Sequence, residues 1–324
     1  MASGPMNGGF TFETDVRRAI RTVLARQAYQ DGVVRQVVAD LTGYTWLVST
    51  HRGLFAVSLT QVTQVAQGWF FGLHCEGEHI YLFENCGERL QGANLGRIIQ
   101  FAWRNCQLTD PHILVTGLHG NGHQLKMIDG LLCLVDTANQ RILRFDPSGR
   151  LHDIKTPVPP APDSDTSGAY VHMNGIAKVH GRVVVMLQNG KSLERRKSEL
   201  AWLDEDWAVA QRSTLEGFMC HDIVQDDQGT MWHSASESGE IIAADGRRIR
   251  LTDGLFSRAM AFAGRHLLVG LSSFGPRQNR DALKGEVAIL DHAKRVIVRH
   301  ELPSGPADAI AIAQVPMLAH RAQR

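Results

Sequence analysis

From residue 44 onward, short apolar stretches rich in Val, Ile and Leu alternate with turns built from Gly, Asp, Asn and Ser. Runs of this kind, punctuated this way, read as β-strands joined by tight turns. The clearest unit is HQLKMIDGLLCLVDTANQRILRFDPSGRLHDIKT, from His123 to Thr156. It predicts a strand, an Asp-Gly turn, a strand, an Asn-containing turn, a strand, a Pro-Ser-Gly turn and a last strand. Four antiparallel strands in about 35 residues make one blade of a β-propeller.

Degenerate copies of that unit surround it. Later ones start at His172 (HMNGIAKVHGRVVVMLQNG, continuing through ELAWLDEDWAVAQRS), at His221 (HDIVQDDQGTMWHSASESGEIIAADGRRIRLT) and at Ser257 (SRAMAFAGRHLLVGLSS, continuing with GEVAILDHAKRVIVRH). Earlier ones start at Phe70 (FFGLHCEGEHIYLFEN) and at Thr45 (TWLVSTHRGLFAVSL). The unit at Thr45 lacks a first strand, and the late stretch ADAIAIAQV from Ala307 supplies one. Closing the ring with strands from both ends of the chain removes exposed sheet edges. The fold expected is therefore all-β, a six-bladed propeller. Insertions at Asn85–Gly96 and Phe274–Gly285 are expected between second and third strands of their blades.

Before residue 41 the pattern differs. Residues 1–10 are Gly-rich, and Thr14 is placed to cap a helix through DVRRAIRTVLARQA. Its apolar positions Val16, Ile20, Val23 and Leu24 share one helical face. The chain thus reads as an N-terminal extension with a helix, 1–40, and one propeller domain, 41–324.

Composition narrows the function classes. A net charge of +1 gives no basic surplus for a nucleic-acid backbone. The start, MASGPMNGGFTFETD, has no basic segment followed by an apolar one, so no secretory signal is read there. No apolar run approaches the ~20 residues of a membrane span. Five cysteines without a pairing pattern read as reduced thiols of a cytoplasmic protein.

In a propeller the first strand of each blade lines the central channel, so residues that open these strands converge. Counting back from the first hairpin turn places His123, Asn174 and Asp222 at similar depth, with His221 brought inward if its longer turn shifts the register. His172 is expected on the face of Asn174. Arg258 and Asp308 belong to the next blade and to the closing strand. Loops between second and third strands add His51, Gln188 and Arg277 to the same mouth. Three imidazoles with an open position suit Zn²⁺, Fe²⁺, Mn²⁺ or Cu²⁺. The oxygens of Asp222, Asn174 and Asp308 instead suit Ca²⁺ or Mg²⁺.

The stretch LLCLVDTANQRILRFDPSGRL resembles an NHL-type propeller repeat. HMNGIAKVHG and CHDIVQDDQGTMW are similar to blade openings of the six-bladed lactonases of the gluconolactonase and senescence-marker-protein family. That resemblance implies one divalent metal at the channel mouth with Asn174 and Asp222 as ligands, and Asp222 also as general base. The early Glu ligand of those lactonases has no counterpart here. A broader resemblance, over most of residues 45–303, is to a bacterial propeller family of unassigned function. It rests on WLVSTHRGLFAV, GHQLKMIDGLLCLVDT, HMNGIAKVHG, CHDIVQDDQGTMWHSASESGEI and FSRAMAFAGRHLLVGLSS. It implies that His123, His172, His221 and Arg258 sit at matched blade openings, and it implies no reaction.

The function expected is a metal-dependent enzyme acting on a small polar substrate. His123, His172, His221 and Asn174 are its expected metal ligands, Asp222 its base or additional ligand, and Arg258 its anchor. His51, Gln188, Arg277 and Asp308 are expected to contact substrate. Hydrolysis, lyase chemistry and oxygen-dependent oxidation stay open. The alternative is a non-enzymatic propeller that binds a peptide, sugar or partner protein on its mouth.

Overall fold

The computed structural model describes residues 34–86, 95–162, 164–190, 195–273 and 283–313. They form six antiparallel sheets whose inner strands pack side by side in a ring. Blade 1 has a short edge, β1 (Arg35–Gln36), and β2 (Trp46–Thr50), β3 (Gly53–Val57) and β4 (Val62–Gln67). Blade 2 holds β5 (Phe70–Glu76), β6 (His79–Asn85), β7 (Leu95–Arg104) and β8 (Gln107–His119). Blade 3 is β9 (Gly122–Ile128), β10 (Leu131–Asp136), β11 (Arg141–Phe145) and β12 (Leu151–Lys155). Blade 4 is β13 (Met173–Val179), β14 (Arg182–Leu187), β15 (Glu199–Leu203) and β16 (Val209–Thr214). Blade 5 is β17 (His221–Gln225), β18 (Met231–Ala235), β19 (Glu240–Ala243) and β20 (Arg248–Arg250). Blade 6 is β21 (Leu255–Ala263), β22 (His266–Ser273), β23 (Gly285–Leu290) and β24 (Val296–Leu302). The last strand, β25 (Pro306–Ala311), pairs with β2 and becomes the inner strand of blade 1. Blade number and ring closure are those the sequence predicts. The N-terminal helix falls on residues outside those described.

Local chemistry sets the turns. Asp129 and Gly130, at φ +51° and +77°, make the two-residue link from β9 to β10, and His180 and Gly181 (+48°, +78°) repeat it between β13 and β14. Such doubly left-handed turns match the twist of paired strands. Asp146, Asp204 and Asp226 each accept two backbone N–H bonds inside the turns that follow them.

Side-chain alternation then builds the core. Along β2, Trp46 and Val48 face blade 6 while Leu47 faces blade 2. The buried apolar residues fall into six clusters, one between each pair of neighbouring blades. Second strands are therefore buried on both faces, and β2 and β18 have no exposed residue. Outer strands such as β12 keep polar or exposed positions. Among the described residues no helix is long and apolar enough to cross a membrane. None of the five cysteines is paired.

Because β25 alone closes the ring, its loss should be felt everywhere. A chain ending before Pro306 leaves β2 as an unpaired inner edge and strips Ala309 and Ile310 from two interblade clusters. We expect it to lose the cooperative thermal transition in circular dichroism. A truncated chain that still melts cooperatively near the full-length midpoint would show that closure is dispensable.

Candidate functional site at the channel mouth

Each of the six inner strands carries a register break of one residue near its start. A bulge of this kind turns one residue out of the ladder and leaves a backbone group without its cross-strand partner. On alternate blades a side chain at the bulge supplies that partner to the next blade. Gln124 Oε1 accepts from Ile176 N at 2.6 Å, Asp222 Oδ2 from Met260 N at 2.6 Å, and Asp308 Oδ2 from Leu73 N at 2.9 Å. Asp222 Oδ1 accepts from its neighbour Ile223 N at 2.8 Å and from Gln124 Nε2 at 2.9 Å, which ties blade 5 to blade 3 across the ring. Non-glycine residues with positive φ here include His172 (+49°), Met219 (+52°), Asp222 (+50°) and Ala259 (+44°). Backbone strain of this kind gathers at functional sites.

The bulges surround a cavity lined by His123, Gln124, Asn174, His221, Asp222, Arg258 and Asp308, with Ala259 and Ala307. Its volume is about 10 Å³, room for one water or one ion. Asn174 is 5 % exposed; its Nδ2 donates to Cys220 O at 3.1 Å, and its Oδ1 is buried without a hydrogen-bond partner. Burial first, and the nearby Asp222 charge with it, push the Asp308 carboxyl up to about 7 against the pull of the Lys126 ammonium. Two carboxylates and one guanidinium line the cavity, so its charge is net negative when both acids are ionised.

His123 and His221 line the cavity with His172 beside His123, and the three rings share one tautomer. His123 Nδ1 donates to Asn121 O (3.3 Å) and His221 Nδ1 to Met219 O (2.8 Å). The Tyr170 hydroxyl donates to Thr137 O, so it accepts from His172 Nδ1 at 3.3 Å. Each neutral ring thus keeps its lone pair on Nε2. His221 Nε2 is taken by Gln188 Nε2, 3.1 Å away, and its Nδ1 also lies 3.0 Å from Ser236 Oγ. Burial, then Arg258, His172 and His123, hold His221 far below the usual imidazole range.

Most of the predicted residues meet here. His123, Asn174, His221, Asp222, Arg258 and Asp308 do line one cavity. His172 lies beside His123, ring centroids 5.2 Å apart, but does not line the cavity; the bulge at Asn174 breaks the alternation that would put the two on one face. At His221 both ring nitrogens have protein partners, Met219 O and Gln188 Nε2. At Asp222 three N–H donors reach the carboxylate oxygens. Among the described residues no three His, Cys, Asp or Glu side chains form a group that could hold a metal ion. His51 sits in the turn after β2, against Trp69 and Phe71 at 5.3 and 5.0 Å. Gln188 reaches His221, and Arg277 lies outside the described residues.

Sequence reasoning missed Gln124 and the rings Trp69, Phe71, Tyr170 and Phe256. The signal for Gln124 was its position. His123-Gln124, His221-Asp222 and Ala307-Asp308 occupy the same step of blades 3, 5 and 1, and the second member of each pair does the same work.

No family model and no curated protein matches the chain. Solved structures do. A nidogen/laminin complex matches at 12 % identity and a TM-score of 0.57, over 84 % of this chain and 100 % of that one. A Bacteroides caccae protein of unknown function matches at 10 % and 0.54, over 83 % and 99 %. A Bacteroides fragilis protein provisionally named a 6-phosphogluconolactonase matches at 12 % and 0.52, over 85 % and 100 %. At such identities the likeness shows the fold alone, and that fold serves enzymes and binding proteins alike. This chain is a six-bladed β-propeller, similar in architecture to all three.

Proposed function

We propose that the mouth is the active site of a metal-dependent enzyme acting on a small polar substrate, its ion held by oxygen donors in the cavity. The observation that carries this reading is Asn174 Oδ1, a buried acceptor with no donor, in a cavity shared with Asp222 and Asp308. A buried polar atom left unpaired costs about 1–3 kcal/mol. A hard cation removes that cost and also relieves the repulsion that helps raise the Asp308 carboxyl. Oxygen donors suit Ca²⁺, Mg²⁺ or Mn²⁺ better than Zn²⁺ or Cu²⁺. Asn174 and Asp308 would be the principal ligands, with Asp222 offering at most the lone pair its three hydrogen bonds leave.

When bound, such an ion polarises a substrate carbonyl or acidifies a water. The chain's own groups do the rest. Asn121 O and the Tyr170 hydroxyl hold the Nδ1 sides of His123 and His172 and so fix how the two rings are turned. Arg258 orients an anionic group of the substrate through paired hydrogen bonds. His221 stays neutral and, through Gln188, positions the loop after β14.

Calorimetric titration of Ca²⁺, Mg²⁺ and Mn²⁺ into chelator-treated protein tests this. We expect one site per chain for at least one of these ions. Asn174→Ala should weaken it by roughly tenfold or more, since even residues one shell out cost that much. No uptake of any of the three ions, or uptake indifferent to Asn174→Ala, rejects the reading.

A further inference from the structure

Three side chains at one step of the ring share a task but not a charge. Gln124 on β9, Asp222 on β17 and Asp308 on β25 each accept a backbone N–H of the following blade, from Ile176, Met260 and Leu73. The two acids go further in the same way. Asp222 Oδ1 accepts from Ile223 N and Asp308 Oδ1 from Ala309 N, both at 2.8 Å. By these bonds the two acids are equivalent, and Gln124 makes them unequal. Its Nε2 donates to Asp222 Oδ1 at 2.9 Å, so Asp222 has three N–H donors where Asp308 has two. An ionised carboxylate has about four acceptor positions, which leaves Asp308 about two and Asp222 about one.

Gln124 is fixed in this role. It is 4 % exposed, and its partners dictate how the amide is turned: Ile176 N–H requires the oxygen and the Asp222 carboxylate requires the nitrogen. Its backbone is closely approached by Gly72 of β5. A Cβ at Gly72 would stand 2.6 Å from Leu125 N and 2.9 Å from Gln124 C, so glycine is what lets the two strands come this near. The cavity that Gln124 lines has room for one ion and contains the buried, unpaired Asn174 Oδ1.

We propose that Gln124 sets the charge this cavity offers to its ion: the amide reserves Asp222 for the ring and leaves Asp308, with Asn174, to the cation. This deepens the reading of the cavity as an ion site and rests on it. Gln124 acts through Asp222 and is a positioning residue. The affinity of oxygen sites for hard cations is tuned by the number of charged ligands. A carboxylate at this step would put three acids around a space for one ion, and it would face Asp222 with no proton between them, a repulsion that a cation relieves. The amide therefore keeps the site weaker and its ion easier to release.

Calorimetric titration of Ca²⁺, Mg²⁺ and Mn²⁺ into chelator-treated protein tests the proposal, on the unaltered chain, Gln124→Glu and Gln124→Met. Glutamate keeps an acceptor for Ile176 N and replaces the donor to Asp222 by a charge. Methionine adds no charge and frees Asp222 of its third donor. Gln124→Glu should bind at least one of the ions about tenfold tighter than the unaltered chain, or more. Gln124→Met should also bind tighter, by a smaller factor, although loss of the partner of Ile176 N makes it melt lower. A residue that only braced the blades would weaken ion binding when changed, so tighter binding in a less stable protein separates the two roles. The melting midpoint of Gln124→Glu should also rise more on adding the ion than that of the unaltered chain, because the ion binds the folded state. If Gln124→Glu does not fold, Gln124→Met decides. Ions bound by the unaltered chain and no tighter by the deciding variant overturn the proposal and leave the ion reading standing. Ions bound by the variant and not by the unaltered chain support the proposal and overturn the ion reading. No uptake by any of the three chains overturns both.

Discussion

Asp222→Ala is expected to lower the folding stability by about 3–6 kcal/mol, through loss of hydrogen bonds that close the ring. The carboxylate is 6 % exposed and accepts from Met260 N, Ile223 N and Gln124 Nε2. Alanine leaves those donors in a buried place without partners, at about 1–3 kcal/mol for each one that water cannot reach. It also places a Cβ residue without a polar side chain at φ +50°, a conformation that costs about 1–2 kcal/mol for an ordinary residue. Asp222→Gly separates the two effects, because glycine adopts this backbone without strain and should be the milder change by about 1 kcal/mol. Urea unfolding followed by tryptophan fluorescence reads both. A loss below about 1 kcal/mol for Asp222→Ala would mean that these bonds do not hold the blades together.

Acid should unfold the protein early. Three histidines, the half-buried His74 and the buried His221 and His233, are held below their ordinary range. His74 is brought down to about 3 by burial and then by the Lys126 ammonium. Burial prevails although Glu76 Oε2 lies 3.4 Å from its Nε2. His221 and His233 are lowered mainly by burial. Once unfolded, each takes up a proton below about pH 6.5, while the folded chain keeps it neutral. The stability these groups permit is therefore full above that pH and is lost as the pH falls beneath it. Asp308 works in the opposite sense. Its folded carboxyl, at about 7, holds a proton that the unfolded chain releases down to about pH 4, so it adds stability on acidification. Glu84, raised by burial against the pull of Arg97, acts in the same direction as Asp308. Near pH 5, His74 and His221 against Asp308 leave about one extra proton on the unfolded chain, so stability falls on acidification with a slope on the order of 1 kcal/mol per pH unit. Urea midpoints at pH 7, 6 and 5 measure it directly. A flat profile across that interval would show that His74 and His221 are not kept neutral by the fold.

Both expectations depend on features that the sequence revealed unevenly. Blade boundaries were legible because Asp-Gly, His-Gly and Asp-rich turns punctuate stretches of strand length, and the four strands of His123–Thr156 appear where those turns put them. The split blade was legible because the unit at Thr45 is one strand short and Ala307 begins a stretch with nothing else to pair with. Convergence of His123, Asn174, His221, Asp222, Arg258 and Asp308 on one cavity followed from ring closure. What alternation hides is the bulge. One inserted residue per inner strand turns Asp222 from a channel-facing carboxylate into the partner of Met260 N, and separates His172 from Asn174. The rings beside His123 stayed hidden for another reason. Trp69 and Phe71 look like ordinary core residues in a strand pattern, and only the placement of blade 3 beside blade 2 brings His123 against them. Gln188 was placed at the mouth by its loop, but its hold on His221 depends on a side-chain contact between blades that no spacing encodes.

The most direct measurement is a crystal structure of the full chain grown with Mn²⁺, with data collected to locate manganese by its anomalous scattering. One peak is expected inside the ring, coordinated by Asn174 Oδ1 together with a carboxylate oxygen of Asp308. A cavity holding only water under those conditions, with Asn174 Oδ1 satisfied by that water and manganese bound elsewhere or nowhere, would contradict it.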